Sequence, residues 1–382
     1  MYKKCLLAVL ILFALSLICD QSYAASRAEL AKIAIHKDGS NISYWQKDAQ
    51  AFKALHAYIK DVTDKNSPNF IPIEDRIAVF DLDGTLICET TPSYFEWMLF
   101  LERALNDPTY TPSAELKAFA LDIKRAIYFD GIPNSIAGTG LETSPARKDL
   151  QPLTEPLKDR SRRQNKAQAE VFAGLTYPEY AAFVQKFMQT PAEGLTNLLR
   201  GEYFYLPMVE VISYLHANHF KTYIVSGSDR DTVRIYIKDV LHIPSNNVIG
   251  SDINYVASNQ NQKDPLRYTY TKDDQVLRGY AIIKTLKMNK VSAIVREIGK
   301  QPVLAFGNSS GDDSMLNYTI TKNKYKALSF ALLCDDTERE LGNLKSAEKM
   351  RAACAKNGWI PISMKNDFLT IYGPNVKRAD KK

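Results

Sequence analysis

Apolar residues recur at Trp45, Ala49, Phe52, Leu55 and Ile59. That spacing of three or four predicts a helix over residues 44–59. A polar turn follows at residues 64–68, and then the period changes. Four consecutive apolar residues, Ile77-Ala78-Val79-Phe80, run directly into Asp81-Leu82-Asp83-Gly84-Thr85. The same form, a short apolar run ending in small polar residues, occurs twice more. Tyr223-Ile224-Val225 leads into Ser226-Gly227-Ser228, and Val303-Leu304-Ala305-Phe306 leads into Gly307-Asn308-Ser309. Residues 327–333 supply a fourth apolar run. Uninterrupted apolar strands are buried on both faces, as in a parallel sheet covered by helices. Helical periodicity occupies residues 208–219, 231–241 and 275–298. Strand–helix alternation of this kind predicts a doubly wound, Rossmann-like α/β fold. In such a sheet the polar tips converge beyond the carboxyl ends of the strands.

The stretch between Asp81 and Ser226 reads differently. Residues 94–105, 114–128 and 177–188 have helical spacing, and a charged segment rich in Pro, Gly and Ser interrupts them at residues 130–163. The expected organisation is an α/β core over residues 25–89 and 206–382, with an N-terminal helical extension. A mostly helical insert fills residues 90–205. No internal repeat is visible.

Composition adds compartment more than chemistry. Hydrophobic residues make up 45% and charged residues 24% of 382, enough for a sizeable core. The net charge of +6 is spread along the chain, which argues against a nucleic-acid partner and fits a small anionic substrate. At the N-terminus, Lys3 and Lys4 precede an apolar run from Cys5 to Cys19, and Ser22 and Ala24 stand at signal-peptidase spacing. This predicts a signal peptide cleaved after Ala24 and export to a periplasm or the medium, without stable membrane insertion of the mature chain. An uncleaved anchor is the alternative. Ile18 stands where a lipoprotein would carry a small residue before Cys19. Cleavage leaves Cys88, Cys334 and Cys354. In an oxidising compartment Cys334 and Cys354 can pair, and three buried thiols are the other outcome.

The strand tips hold the candidate chemistry. Asp81 and Asp83 have the i, i+2 relation, and Gly84 lets the chain turn away. Two carboxylates at one strand end repel unless a cation or a proton is shared, and hard oxygen donors favour magnesium. The plain alternative is a turn with solvated acids. Asp312 and Asp313 stand at the start of the helix after the last tip, as metal ligands or as caps. Ser226 and Gly227 precede another helix, where N–H groups and a hydroxyl can bind phosphate. Lys290 can supply charge to a phosphoryl group.

Asp81-Leu82-Asp83-Gly84-Thr85, then Ser226, then Lys290, then the loop from Gly307 to Asp313 resemble the four ordered motifs of the haloacid dehalogenase superfamily. The resemblance covers about residues 70–335. The long insert is similar to that superfamily's C1 cap, and the layout to its phosphoserine phosphatase and phosphorylcholine phosphatase branch. The resemblance implies a phosphomonoester hydrolase with Asp81 as nucleophile and Asp83 as acid and base. It implies Mg2+ on the Asp81 carboxylate, the Asp83 carbonyl and Asp312, with Ser226, Gly227 and Lys290 on the phosphoryl group. Asn308 stands where many relatives carry aspartate. With Asp313 and Thr85 it is assigned to the surroundings of the metal. A phosphotransferase on the same scaffold and a non-catalytic binding protein are the competing readings. Glu89 lies one position from the spacing expected of an amine-binding carboxylate. Tyr94, Phe95 and Trp97 read as ordinary cap core or as an aromatic wall for a cationic head group. His216 and His219 read as helix-surface or packing residues rather than a ligand pair, and the basic knot Arg160, Arg162 and Arg163 as a solvated loop or a second anionic contact.

Overall fold

The computed structural model describes residues 24–35, 42–129, 150–151 and 160–379. The proposed signal segment before Ala24 and most of the 130–163 stretch lie outside them. Helices α1 (Arg27–Ala34) and α2 (Gln50–Thr63) precede strand β1 (Ile77–Phe80). Then come α3 (Phe95–Leu101), α4 (Ala114–Tyr128), α5 (Arg160–Glu170), α6 (Tyr177–Met188) and α7 (Leu206–Ala217). The next elements are β2 (Lys221–Asp229), α8 (Arg230–Ile237), β3 (Val248–Ala257), β4 (Val276–Ile283) and α9 (Met288–Glu297). The chain finishes with β5 (Leu304–Gly307), α10 (Asp313–Ile320), β6 (Leu328–Leu333), α11 (Leu344–Asn357), β7 (Ile360–Ser363) and α12 (Met364–Asp367).

The strands form one sheet in the order β4-β3-β2-β1-β5-β6-β7. Every neighbouring pair is parallel except β3 and β4. The doubly wound α/β expectation holds, and β1 with its acidic tip lies in the interior of the sheet. All four residues of β1 are buried. Ala78 and Phe80 join one apolar core while Ile77 and Val79 join the other, as the two-residue period requires. Phe80, Phe306 and Phe330 stack in register across β1, β5 and β6, with centroids 4.4 and 4.9 Å apart. This ladder fixes the two strand tips that carry the acidic motifs relative to each other.

Several stretches differ from the sequence reading. Residues 275–298, read as one helix, are strand β4 followed by helix α9. The pairing of β4 with β3 overrides the local periodicity. Strand β3, unread in the sequence, lies between β2 and β4. The helix expected from residue 44 starts at Gln50, because Trp45 is drawn into a bridge with Phe368. Beyond β6, the unassigned C-terminal flank extends the sheet with β7. In the insert, α3, α4 and α6 fall where the helical period predicts, whereas α5 was not read in the sequence and starts inside the stretch taken as an irregular interruption. The insert's two ends run side by side, with Cys88 N–H donating to Tyr203 O and Tyr205 N–H to Leu86 O at 3.0 and 2.9 Å. Among the described residues no helix is long and apolar enough to cross a membrane. Cys88, Cys334 and Cys354 are unbridged.

The N-terminal flank is tied down by charge. Arg27 donates to the carbonyls of Gly201 and Tyr236 at 2.7 and 2.9 Å. Glu210 on α7 accepts the N–H groups of Ser43 and Tyr44 at 2.7 and 3.0 Å. Burial outweighs those bonds and raises the Glu210 carboxyl from 4.5 to about 7. A raised carboxyl stabilises the fold fully below its unfolded value, and that stability is lost as pH climbs through 7. Between pH 5 and pH 8 the wild-type protein should therefore lose up to about 3 kcal/mol through this group. Urea denaturation across that range should show a shallower fall for Glu210→Gln. Equal slopes for the two proteins would refute the assignment.

Candidate active site

Beyond Phe80 the chain leaves the sheet. Asp81 N–H still donates to Phe306 O at 2.9 Å, so the carboxylate is aimed from the rim of two parallel strands. Its Oδ1 lies 2.6 Å from Lys290 Nζ. Lys290, in the first turn of α9, is only 1% exposed, and it also reaches Asp312 Oδ1 and Val225 O, each at 2.6 Å. One ammonium thus holds the tips of β1 and β2 and the start of α10 together. Burial, and then the charge of Asp312, push the Asp81 carboxyl well above the ordinary carboxylate range. Burial opposes the charge on Lys290, but Asp312 and Asp81 outweigh it and raise the amine. Among the described residues Asp81 Oδ2 takes no hydrogen bond and is left to the cavity.

Asp83 follows the turn and accepts the Ser228 hydroxyl at 2.7 Å through Oδ2. Its carboxyl is raised by burial, against the Ser228 bond. Gly84 adopts φ +78°, and a Cβ there would fall 2.0 Å from Asn308 Nδ2. Only glycine allows both the left-handed turn and the close approach of the tip of β5. Thr85 is fully buried, with its hydroxyl 3.4 Å from Asn308 Oδ1.

The structure brings Asp81, Asp83, Gly227, Lys290 and Asp312 around one cavity of about 290 Å³. It buries Ser226, ties up the oxygens of Asp312 and keeps Asp313 out of the lining. Ser226 is wholly buried beneath the loop, where its hydroxyl accepts Ser228 N–H at 3.0 Å, and it is Ser228 that faces the cavity. Both Asp312 oxygens are engaged by protein, Oδ1 by Lys290 and Oδ2 by the N–H groups of Asn308 and Ser309 at 3.1 Å. Asp313 does not line the cavity. Burial, and then Asp312, raise its carboxyl, and the Lys287 ammonium opposes them.

Glu89, Tyr94 and Trp97 all reach the cavity wall. Tyr94 donates to Glu89 at 3.1 Å, while Trp97 is 3% exposed and packs edge-on to Phe100, so it is core and wall together. Sequence reasoning missed Glu96, Gln168, Lys284 and Ser309. The one signal for Glu96 was its place between Tyr94 and Trp97. His216 bonds Thr222 at 2.7 Å, and Arg163 lies over the Phe119 ring at 4.4 Å; both are packing roles.

The donor chemistry suits a hard cation. Among the described residues no three His, Cys, Asp or Glu side chains form a ready-made metal cluster. Oxygen donors stand there instead: Asp81 and Asp83 line the cavity, and the Asn308 amide lies against Gly84 and Thr85 in the turn that carries them. Charge points the same way. Five carboxyl groups, from Asp81, Asp83, Glu89, Glu96 and Asp312, line the cavity against two ammonium groups, Lys284 and Lys290. Such an excess is balanced by a bound cation or by protons on the carboxyls, whose neutral form burial favours at Asp81, Asp83, Glu89 and Glu96.

The model of the haloacid dehalogenase-like hydrolases matches residues 78–317, from the middle of β1 into α10. The chain belongs to that family. No curated protein matches this hydrolase closely. Three solved structures to which it is similar can be named. One is a conserved protein of unknown function from Anaerococcus prevotii DSM 20548, at 14% identity over 89% of this chain and 98% of that one, with TM-score 0.49. Another is cytosolic 5'-nucleotidase IIIB bound to cytidine, at 14% identity over 83% and 88%, TM-score 0.45. The third is a phosphoserine phosphohydrolase-like protein from Francisella tularensis subsp. tularensis SCHU S4, at 16% over 74% and 98%, TM-score 0.36.

Proposed function

We propose that this hydrolase is an exported, magnesium-dependent phosphatase that cleaves a small organic phosphomonoester through an aspartyl-phosphate. The observation that carries the reading is the free Asp81 Oδ2, beside Lys290 and two residues before an acid held by Ser228. Asp81 Oδ2 attacks phosphorus as the ester oxygen departs with a proton from Asp83. Asp83 then takes a proton from the water that cleaves the acyl phosphate. Splitting the transfer into two displacements at a carboxylate lowers each barrier. Lys290 and the strand-tip N–H groups hold the phosphoryl oxygens, the positioning that such transfers chiefly need. Magnesium supplies charge neutralisation to the phosphoryl group when bound. Asp81 and the Asp83 carbonyl are its donors, with Asn308 in preference to Asp312, whose oxygens are already taken. Helices α3 and α5 form the cap over the cavity and exclude polymers. The signal segment sends the chain to a periplasm or the medium.

The test is phosphate release from a panel of phosphomonoesters by the full chain, with magnesium and after chelation. Chelation should abolish release and added magnesium should restore it. A rate untouched by chelator would remove the metal from the reading. Added alcohol that diverts the phosphoryl group to a new ester would recast the enzyme as a transferase.

A further inference from the structure

Besides the catalytic acids, the cavity wall carries groups that are unequally matched. Glu96 accepts the Asp229 N–H and has Lys284 Nζ 3.7 Å away. Glu89 accepts the Tyr94 hydroxyl. Both carboxylates therefore have partners within the protein, and so does the Lys284 ammonium. Gln168 does not. It lies on α5, in the cavity wall, and is only 7% exposed. Among the described residues neither its Nε2 nor its Oε1 has a hydrogen-bond partner, and both are shut off from bulk solvent. Gln164, one turn earlier on the same helix, also lines the cavity, so α5 places two glutamines in its wall.

A buried carboxamide with donor and acceptor both unmet is costly to the fold. Leucine or methionine would fill the space without that cost. Its retention makes sense if a ligand completes it. The missing partner must both donate and accept, as a hydroxyl does and a quaternary ammonium does not. Size narrows the choice. About 290 Å³ lies just below the usual range for small-molecule pockets and must also hold the phosphoryl group. That favours a leaving group of a few carbons over a nucleoside.

We propose that Gln168 is a specificity residue that reads a hydroxyl group of the leaving alcohol, and that the substrates are phosphate esters of short polyols or small sugars. The proposal rests on the phosphatase reading for its catalytic end, and its test separates the two. Binding is measured by calorimetry in full-length Asp81→Asn protein with magnesium present. The ligands are glycerol 1-phosphate, erythritol 4-phosphate, n-propyl phosphate, phosphocholine and cytidine 5'-monophosphate. With Gln168 intact, the polyol phosphates should bind at least about tenfold more tightly than n-propyl phosphate. In Gln168→Leu and Gln168→Met that ratio should fall below about twofold while the thermal midpoint rises, because an unpaired buried amide has been removed. A ratio unchanged by both substitutions overturns the proposal. So does an equal weakening of all ligands with a lowered midpoint, which marks a structural role. Gln168-dependent preference for phosphocholine or the nucleotide also overturns it. Hydrolysis of the same esters by protein with Asp81 intact is scored separately. Selective binding without phosphate release would sink the phosphatase reading and leave the polyol subsite standing. Release of phosphate from every ester without discrimination would do the reverse.

Discussion

Asp81→Asn should release phosphate at least about four orders of magnitude more slowly than the wild-type enzyme, the scale of loss when a covalent nucleophile is removed. The amide keeps the size and shape of the carboxylate but has no oxygen able to attack phosphorus. The fold should not suffer. Lys290 keeps Asp312 Oδ1 and Val225 O, two of its three partners, and a carboxyl that burial already pushes toward neutrality is replaced by a neutral group. The result to look for is a lost rate at an unchanged or raised thermal midpoint. Mass spectrometry checks that the introduced amide has not deamidated back to aspartate. Substantial turnover by protein that passes this check would move the nucleophile elsewhere, with Asp83 the nearest alternative.

Lys290→Met should damage both stability and rate. The ammonium is buried and neutralises Asp81 and Asp312 together. Removing one member of such a group leaves uncompensated charge indoors, at a cost of about 3–5 kcal/mol. The rate should fall by about 10²–10³-fold, the usual loss for one preorganised electrostatic contact. The two losses differ in their pH dependence. Asp81 is raised, so it takes up a proton at a higher pH than an ordinary carboxyl, and protonation removes the unpaired charge. Urea denaturation at pH 8 should show the full deficit, and at pH 5 a smaller one. A deficit of the same size at both values would mean that lysine contributes packing alone. An unchanged rate would take Lys290 out of the phosphoryl site.

Much of this site was legible because its parts are local. Asp81, Asp83 and Gly84 are consecutive or nearly so, and an apolar run of four residues announces the buried strand that presents them. Gly84 shows how far such reading goes: the turn was visible in sequence, but the contact with Asn308 that forbids a side chain was not. Ser226 shows where it fails. Ser226 and Ser228 are equivalent on paper, and the strand's course through Asp229 buries the first and exposes the second to the cavity. Strand β4 was hidden for a related reason. Arg278, a poor strand signal, is buried there by Asp231 and Asp229, with the nearer contact at 2.5 Å and the other at 2.6 Å.

The sequence by itself determined the α/β class, the sheet's acidic tips and the helical insert. Backbone periodicity and short-range motifs encode these within a few residues, where chain connectivity already enforces proximity. Tertiary structure alone decided that Asp81 keeps an oxygen free while both oxygens of Asp312 are engaged, and which serine faces the cavity. It also decided that Glu96, Lys284 and Gln168, from separate elements, line the same cavity. Those outcomes depend on burial and on partners distant in the chain, and a hydrogen bond between remote residues leaves no periodic trace along the sequence.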